Sequence, residues 1–171
     1  MLPYLFGFYS MSEKKAKIAK YEDALEALVK DRTEELEESR EMYKILAKAS
    51  PVGLFRTNKH GQCVYVNAKW REISGMTNDE ALGEGWINAI HEDDRELFFG
   101  EWNYCIENHE EFSMEYRFKT PDGVITWVLG QASLINGGGK GHVGTITDIT
   151  YKKEALPQLI ELRNSAKCRS I

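Results

Sequence analysis

Three groups of residues in this 171-residue chain have types and spacings that chemistry could use. Gly137-Gly138-Gly139-Lys140-Gly141 has the composition of a loop whose backbone amides cradle a phosphate. A nucleotide loop needs G-x-x-x-x-G-K-[ST] leading into a helix. Here Gly141 follows Lys140 and no helix begins, so a hairpin turn is expected. Asp93-Asp94 is a carboxylate pair of the kind used in acid–base or metal chemistry, but at the start of a predicted helix the pair is expected to cap it. Cys63, Cys105 and Cys168 are odd in number and form no C-x-x-C, which fits reduced thiols. Cys105 lies on an apolar helix face and reads as a small core residue. The histidines His60, His91, His109 and His142 stand singly, and no serine has an evident His/Asp companion, so neither a metal site nor an enzyme is expected. A net charge of −5 argues against a broad basic face, and nucleic acid is not expected as a partner.

The elements that would position such groups follow from periodicity. Residues 1–12 form an apolar leader (Leu2, Tyr4, Leu5, Phe6, Phe8, Tyr9), with Lys14, Lys15, Lys17 and Lys20 close behind. The run is too short to span a bilayer and lacks the positive start of a secretory signal. It reads either as the cut end of a membrane helix with a cytoplasmic basic flank, or as a leader.

Residues 13–49 contain no Gly or Pro and are rich in Glu, Lys, Ala and Leu, which predicts one long helix. Ile18, Tyr21, Leu25 and Leu28 follow a 3-4-3 spacing. The seam then shifts by a four-residue stutter to Val29, Leu36, Tyr43 and Leu46, with Arg32 and Ser39 at intervening positions. A lone helix would leave this stripe in water, so a partner is expected: a second copy in a parallel coiled coil, or otherwise the chain's own globular part.

Ser50-Pro51 ends the helix, because the residue before proline is pushed out of the α region. Short strands are predicted at Val52–Thr57 and Cys63–Asn67 around the turn Lys59-His60-Gly61, the second alternating Val64 and Val66 against Cys63, Tyr65 and Asn67. Helical pieces follow at Ala68–Ser74 and at Asn78–Leu82, the latter with Asn78 as its cap. A longer helix runs to about Asn108, its apolar face built from Leu97, Phe98, Trp102, Cys105 and Ile106. Phe112, Met114, Tyr116 and Phe118 alternate with polar residues. Two more strands, Val124–Ile135 and His142–Thr150, follow the turn Pro121-Asp122-Gly123. The order β-β-α-α-α-β-β-β within residues 50–150 predicts an α+β domain: a five-stranded antiparallel sheet with short helices on one face, preceded by the long N-terminal helix. Residues 151–171 read as a linker or helix.

Several stretches carry a resemblance. These are Ser50-Pro51-Val52-Gly53-Leu54-Phe55, Val64-Tyr65-Val66-Asn67-Ala68, Trp86 with Ile90-His91-Glu92-Asp93-Asp94-Arg95, Glu115-Tyr116-Arg117, Asp122-Gly123, Trp127-Val128, and Gly144 with Asp148-Ile149-Thr150. In this order and spacing, residues 50–150 resemble a PAS domain with its C-terminal PAC segment; Glu92 stands where proline is common in that family. Leu28-Val29-Lys30-Asp31-Arg32-Thr33-Glu34-Glu35-Leu36 is similar to the coiled-coil helices of bacterial sensor proteins.

The resemblance implies a cleft between sheet and helices, with Tyr65, Asn67, Phe98, Trp102, Tyr116, Trp127 and Gln131 as candidate lining. It also implies that Asp148, Ile149 and Thr150 couple the last strand to the exiting helix, with Asp148 held by Arg117. The N-C-R-F-L-type helix of flavin members is absent, and His109 beside Asn108 and Glu110 reads as a solvated helix end, so neither flavin nor haem is expected. Any cofactor stays unnamed. The expected role is a cytoplasmic sensory module, possible membrane tether included, that is cut from a larger signalling protein with a downstream output domain. It would form a homodimer and have room for a small ligand. The rival reading is a constitutive dimerisation module with a filled core.

Overall fold

The computed structural model describes residues 11–135 and 141–156, apart from the side chain of Ser12. The apolar leader up to residue 10, the glycine run 137–140, Cys168 and the linker beyond residue 156 lie outside the described residues. The chain divides into a helical unit ending at Ile45 and a globular unit beginning at Leu46.

Helix α1 (Met11–Ala49) has 39 residues, about 58 Å of helix at 1.5 Å per residue. Side-chain pairs along its surface support it, among them Arg32–Glu35 and Lys44–Glu41 at 2.5 Å and Lys30–Glu34 at 3.9 Å. The expected seam residues Ile18, Tyr21, Leu25, Leu28, Val29, Leu36, Tyr43 and Leu46 are all exposed, from 54% for Leu28 to 71% for Tyr43. No helix among the described residues is long and apolar enough to cross a membrane.

The globular unit is an antiparallel sheet of five strands in the order β2-β1-β5-β4-β3. The strands are β1 (Gly53–Thr57), β2 (Cys63–Val66), β3 (Phe112–Lys119), β4 (Ile125–Leu134) and β5 (His142–Asp148). Between β2 and β3 the chain forms α2 (Ala68–Ser74), α3 (Asn78–Ala81), two 3-10 turns (Gly85–Ala89 and Glu92–Asp94) and α4 (Arg95–Asn108). Period-2 alternation fixes which strand residues face inward. Phe112, Tyr116 and Phe118 on β3, Val128 and Ala132 on β4, and Ile146 on β5 are buried on one face with Trp70, Phe98 and Trp102 from the helices. Glycine is required where the tyrosine crosses: a Cβ on Gly130 would stand 2.8 Å from the Tyr116 ring.

Five local expectations are corrected. Thr77, not Asn78, caps α3: it makes a capping box with Glu80, an arrangement that needs a hydroxyl three residues before a carboxylate. Asp94 sits at the N-cap of α4 but makes no side-chain cap bond, because Arg117 holds its carboxylate; the His91 imidazole instead accepts from the Asp93 amide. Leu97 is 64% exposed and does not share the buried face of α4 with Phe98, Trp102 and Cys105. The alternation expected in β2 breaks, with Cys63 and Val66 buried but Val64 and Tyr65 exposed, because the β1–β2 register shifts between Arg56 and Thr57. The last strand stops at Asp148, and Thr150 begins a helix that runs through residue 156.

His142 is 3% exposed at the start of β5, and among the described residues neither ring nitrogen makes a well-formed hydrogen bond. Its ring lies 5.4 Å from that of Trp102. Burial pushes the imidazole below the ordinary histidine range; the Glu110 carbonyl pulls it upward and His109 pushes it further down. A histidine neutral in the fold and protonatable when unfolded adds stability that is full above the unfolded pKa of 6.5. That stability is lost as pH falls from there towards the depressed folded pKa. Unfolding free energy from urea titrations is therefore expected to fall as pH is lowered from 7.5 to 5.5. His142→Phe, which keeps the ring against Trp102, should flatten that slope; an unchanged slope would assign it to other groups.

Candidate functional site

Two places in the globular unit were candidates for function: the space between sheet and helices, and the end of the sheet where the chain leaves β5. Aromatic side chains pack the first. Phe98 on α4 lies 4.7 Å from Tyr116, 5.2 Å from Phe112, 5.5 Å from Trp86 and 6.2 Å from Trp102, measured between ring centroids. All but the Trp102 contact are edge-on, the arrangement that aromatic quadrupoles favour. The remaining cavity has a volume of about 20 Å³ and is lined by Phe55, Thr57, Cys63, Trp70, Trp86, Phe98, Trp102, Phe112, Tyr116, Phe118 and Ile146. That is room for about one water molecule. Burial alone pushes the Tyr116 phenol far up, and it raises the thiols of Cys63 and Cys105 as well, so none is an activated nucleophile. Trp86 Nε1, at the cavity wall, is buried without a hydrogen-bond partner among the described residues.

Of the seven residues expected to line a ligand cleft, Phe98, Trp102 and Tyr116 stand on its wall. Asn67 is 4% exposed but fully engaged. Its Oδ1 accepts from the amides of Leu54 (2.8 Å) and Trp70 (2.9 Å), and its Nδ2 donates to the carbonyls of Ala47 (2.9 Å) and Val52 (3.1 Å). Two acceptor and two donor sites are the whole capacity of a primary amide, so Asn67 is a structural knot with nothing left for a ligand. Tyr65 is 42% exposed, displaced from the core by the register shift in β1–β2. Trp127 and Gln131 do share one face of β4, as expected, but it is the outer face: the inward residues are Val128, Gly130 and Ala132. The aromatic walls that sequence reasoning missed include Phe112 and Phe118, which have the parity of Tyr116 on β3 and could have been read from the same alternation. Trp86 and Phe55 carried no such periodic signal.

The expected Arg117–Asp148 pair does not form. Strand β4 lies between β3 and β5, so the two residues are two strand spacings apart, about 10 Å. Arg117 instead donates to Asp94 from Nη2 at 2.5 Å and Nε at 2.9 Å, and its own amide donates to the same carboxylate at 2.8 Å. This fork and the Arg117 amide hold the Asp94 carboxyl below the usual carboxylate range. Beside it, the Lys119 ammonium, 2.6 Å away, lowers Glu92 to about 2. Asp148 accepts from the Thr150 amide at 2.8 Å, a local cap on the exit helix. The Thr150 hydroxyl accepts from the Trp127 amide at 3.0 Å, and the Ile149 amide donates to the Trp127 carbonyl at 2.8 Å. Asp148, Ile149 and Thr150 thus join β5, β4 and the exit helix at one point.

Residues 63–146 match the family model described as the PAS fold, and the domain formed there is a PAS domain. An uncharacterised protein y4lL of Sinorhizobium fredii is 34% identical over 125 residues, covering 71% of this chain and 15% of its own length. The peroxide stress-activated histidine kinase mak1 of Schizosaccharomyces pombe is 32% identical over 119 residues, covering 63% of this chain and 7% of its own length. The chain therefore spans well under a quarter of either relative. The crystal structure of a PAS domain from Colwellia psychrerythraea shares the fold, with a TM-score of 0.55 at 23% identity, covering 65% of this chain and 97% of that one.

Proposed function

We propose that this chain is the PAS signal-transmission module of a larger signalling protein, joined to a second copy through α1, and that it acts by coupling helix positions rather than by catalysis. The observation that carries the reading is the stripe Ile18–Tyr21–Leu25–Leu28, continued at Val29, Leu36 and Tyr43, left open to water on a 39-residue helix. Burying such a stripe in a paired helix removes apolar surface from water at about 25 cal/mol per Å², which is the dominant drive for coiled-coil association. Likeness to a histidine kinase supports an output domain downstream. The small central cavity favours a core that transmits strain as it stands, without a resident cofactor; a ligand larger than a water would have to displace aromatic rings.

Sedimentation velocity of the full chain and of a Leu25→Lys/Leu28→Lys variant tests the reading. The unaltered chain is expected to sediment as a dimer at micromolar concentration and the variant as a monomer, with the same sheet content by circular dichroism. A monomeric unaltered chain at high concentration would overturn it.

A further inference from the structure

The exit helix, residues 150–156, lies against the outer face of the sheet through side chains that play no part in the Asp148–Thr150 junction. Glu115 on β3 and Trp127 on β4 present a carboxylate and an indole face side by side, since Arg117, two residues on from Glu115, pairs in register with Trp127. Lys153 reaches both: its Nζ is 2.6 Å from Glu115 Oε2 and 4.6 Å from the Trp127 ring centroid. The neighbouring Lys152 stands 3.5 Å from the other oxygen, Oε1, of the same carboxylate. Arg117 lies 5.6 Å from the Trp127 ring but is fixed by Asp94, so it cannot follow the helix. The carboxylate therefore meets two lysines that are adjacent in sequence, and the ring meets one of them. Adjacent residues on a helix are about 100° apart around its axis, so turning the helix replaces one lysine by the other.

We propose that Glu115 and Trp127 form a two-position latch for the exit helix: Glu115 meets both lysines in this structure, the Trp127 ring is covered by Lys153, and Lys152 can replace it over the ring when the helix turns. Its contacts are partly exposed, with both Glu115 and Lys153 side chains 35% accessible, and exposed ion pairs and cation–π contacts are individually weak. That weakness suits a switch, because a modest bias from the domain or from a neighbouring copy can exchange the two positions. The purpose of the latch rests on the transmission reading above. Its existence does not.

Nuclear magnetic resonance of the full chain with labelled lysines tests it, since an ε-methylene over an indole is displaced upfield by the ring current. One lysine signal should be displaced in the unaltered chain and lost in Lys153→Met and in Trp127→Leu. In Lys153→Met a second lysine signal should move upfield, and it should vanish in Lys152→Met/Lys153→Met. Glu115→Gln should cut the displacement by about half, because the ring contact alone holds the ammonium loosely. An unaltered chain with no displaced lysine overturns the latch, and a Lys153→Met chain in which no second lysine moves overturns the exchange. Sedimentation of the same samples reports dimer formation separately, so failure of the latch and failure of the proposed function are distinguishable.

Discussion

Asn67→Ala is expected to lower the stability of the globular unit by about 3 kcal/mol, far more than a typical helix cap loses. The reason is the number of groups tied to one amide. Removing it strips acceptors from the Leu54 and Trp70 amides and donors from the Ala47 and Val52 carbonyls, the Trp70 bond buried and the other three part-buried. The Trp70 amide is the N-cap bond of α2, and the Leu54 amide belongs to β1, so a strand and a helix loosen together. For a unit of roughly 100 residues a loss of this size lowers the thermal midpoint by about 10 °C or more. Differential scanning calorimetry on the full chain reads it. Asn67→Asp separates the two halves of the knot. It keeps an acceptor for the amides but turns a second oxygen onto two carbonyls, so its deficit should shrink in acid, where the carboxyl can donate.

Phe98→Ala is the second large effect, expected at about 4 kcal/mol. Phe98 is 2% exposed and at the centre of five ring contacts, with Trp86, Phe99, Trp102, Phe112 and Tyr116. Those rings are themselves pinned by neighbours and cannot collapse into the gap. The result should be an enlarged apolar cavity continuous with the existing one of about 20 Å³. Apolar cavities of this kind stay dry and take up small aromatic molecules. Benzene should therefore raise the thermal midpoint of Phe98→Ala by several degrees and leave the unaltered chain unmoved. Stabilisation of both equally would show that the native core already opens to such ligands.

The sheet and its order of elements were legible because alternation and turn chemistry are local. Phe112 to Phe118 announces its inward face residue by residue, and Gly61 and Gly123 adopt the positive φ of 79° and 83° that their turns require. The site was legible only in part. Alternation states that Trp127 and Gln131 share a face, but not which side of the sheet the helices cover, and that single undetermined bit moved both residues from cleft to outer surface. Arg117 and Asp148 failed as a pair for a topological reason: strand order is not written in any one strand, and β4 turned out to separate them. Asn67 looked like a ligand-binding amide because its residue type is right for either role; only the four partners around it decide. The Glu115–Lys153 pair, 38 positions apart in number, has no local signature at all.

The account as a whole turns on two copies of α1 lying side by side and in register. Pulsed electron paramagnetic resonance can measure this with one spin label per chain, placed at Lys17→Cys or at Glu38→Cys, since Cys63 and Cys105 are buried and Cys168 can be replaced by serine. Parallel, in-register pairing predicts short and nearly equal label-to-label distances at both positions, of about 20 Å. A pair separated by tens of ångströms at either position, or no dipolar signal at all, would contradict it.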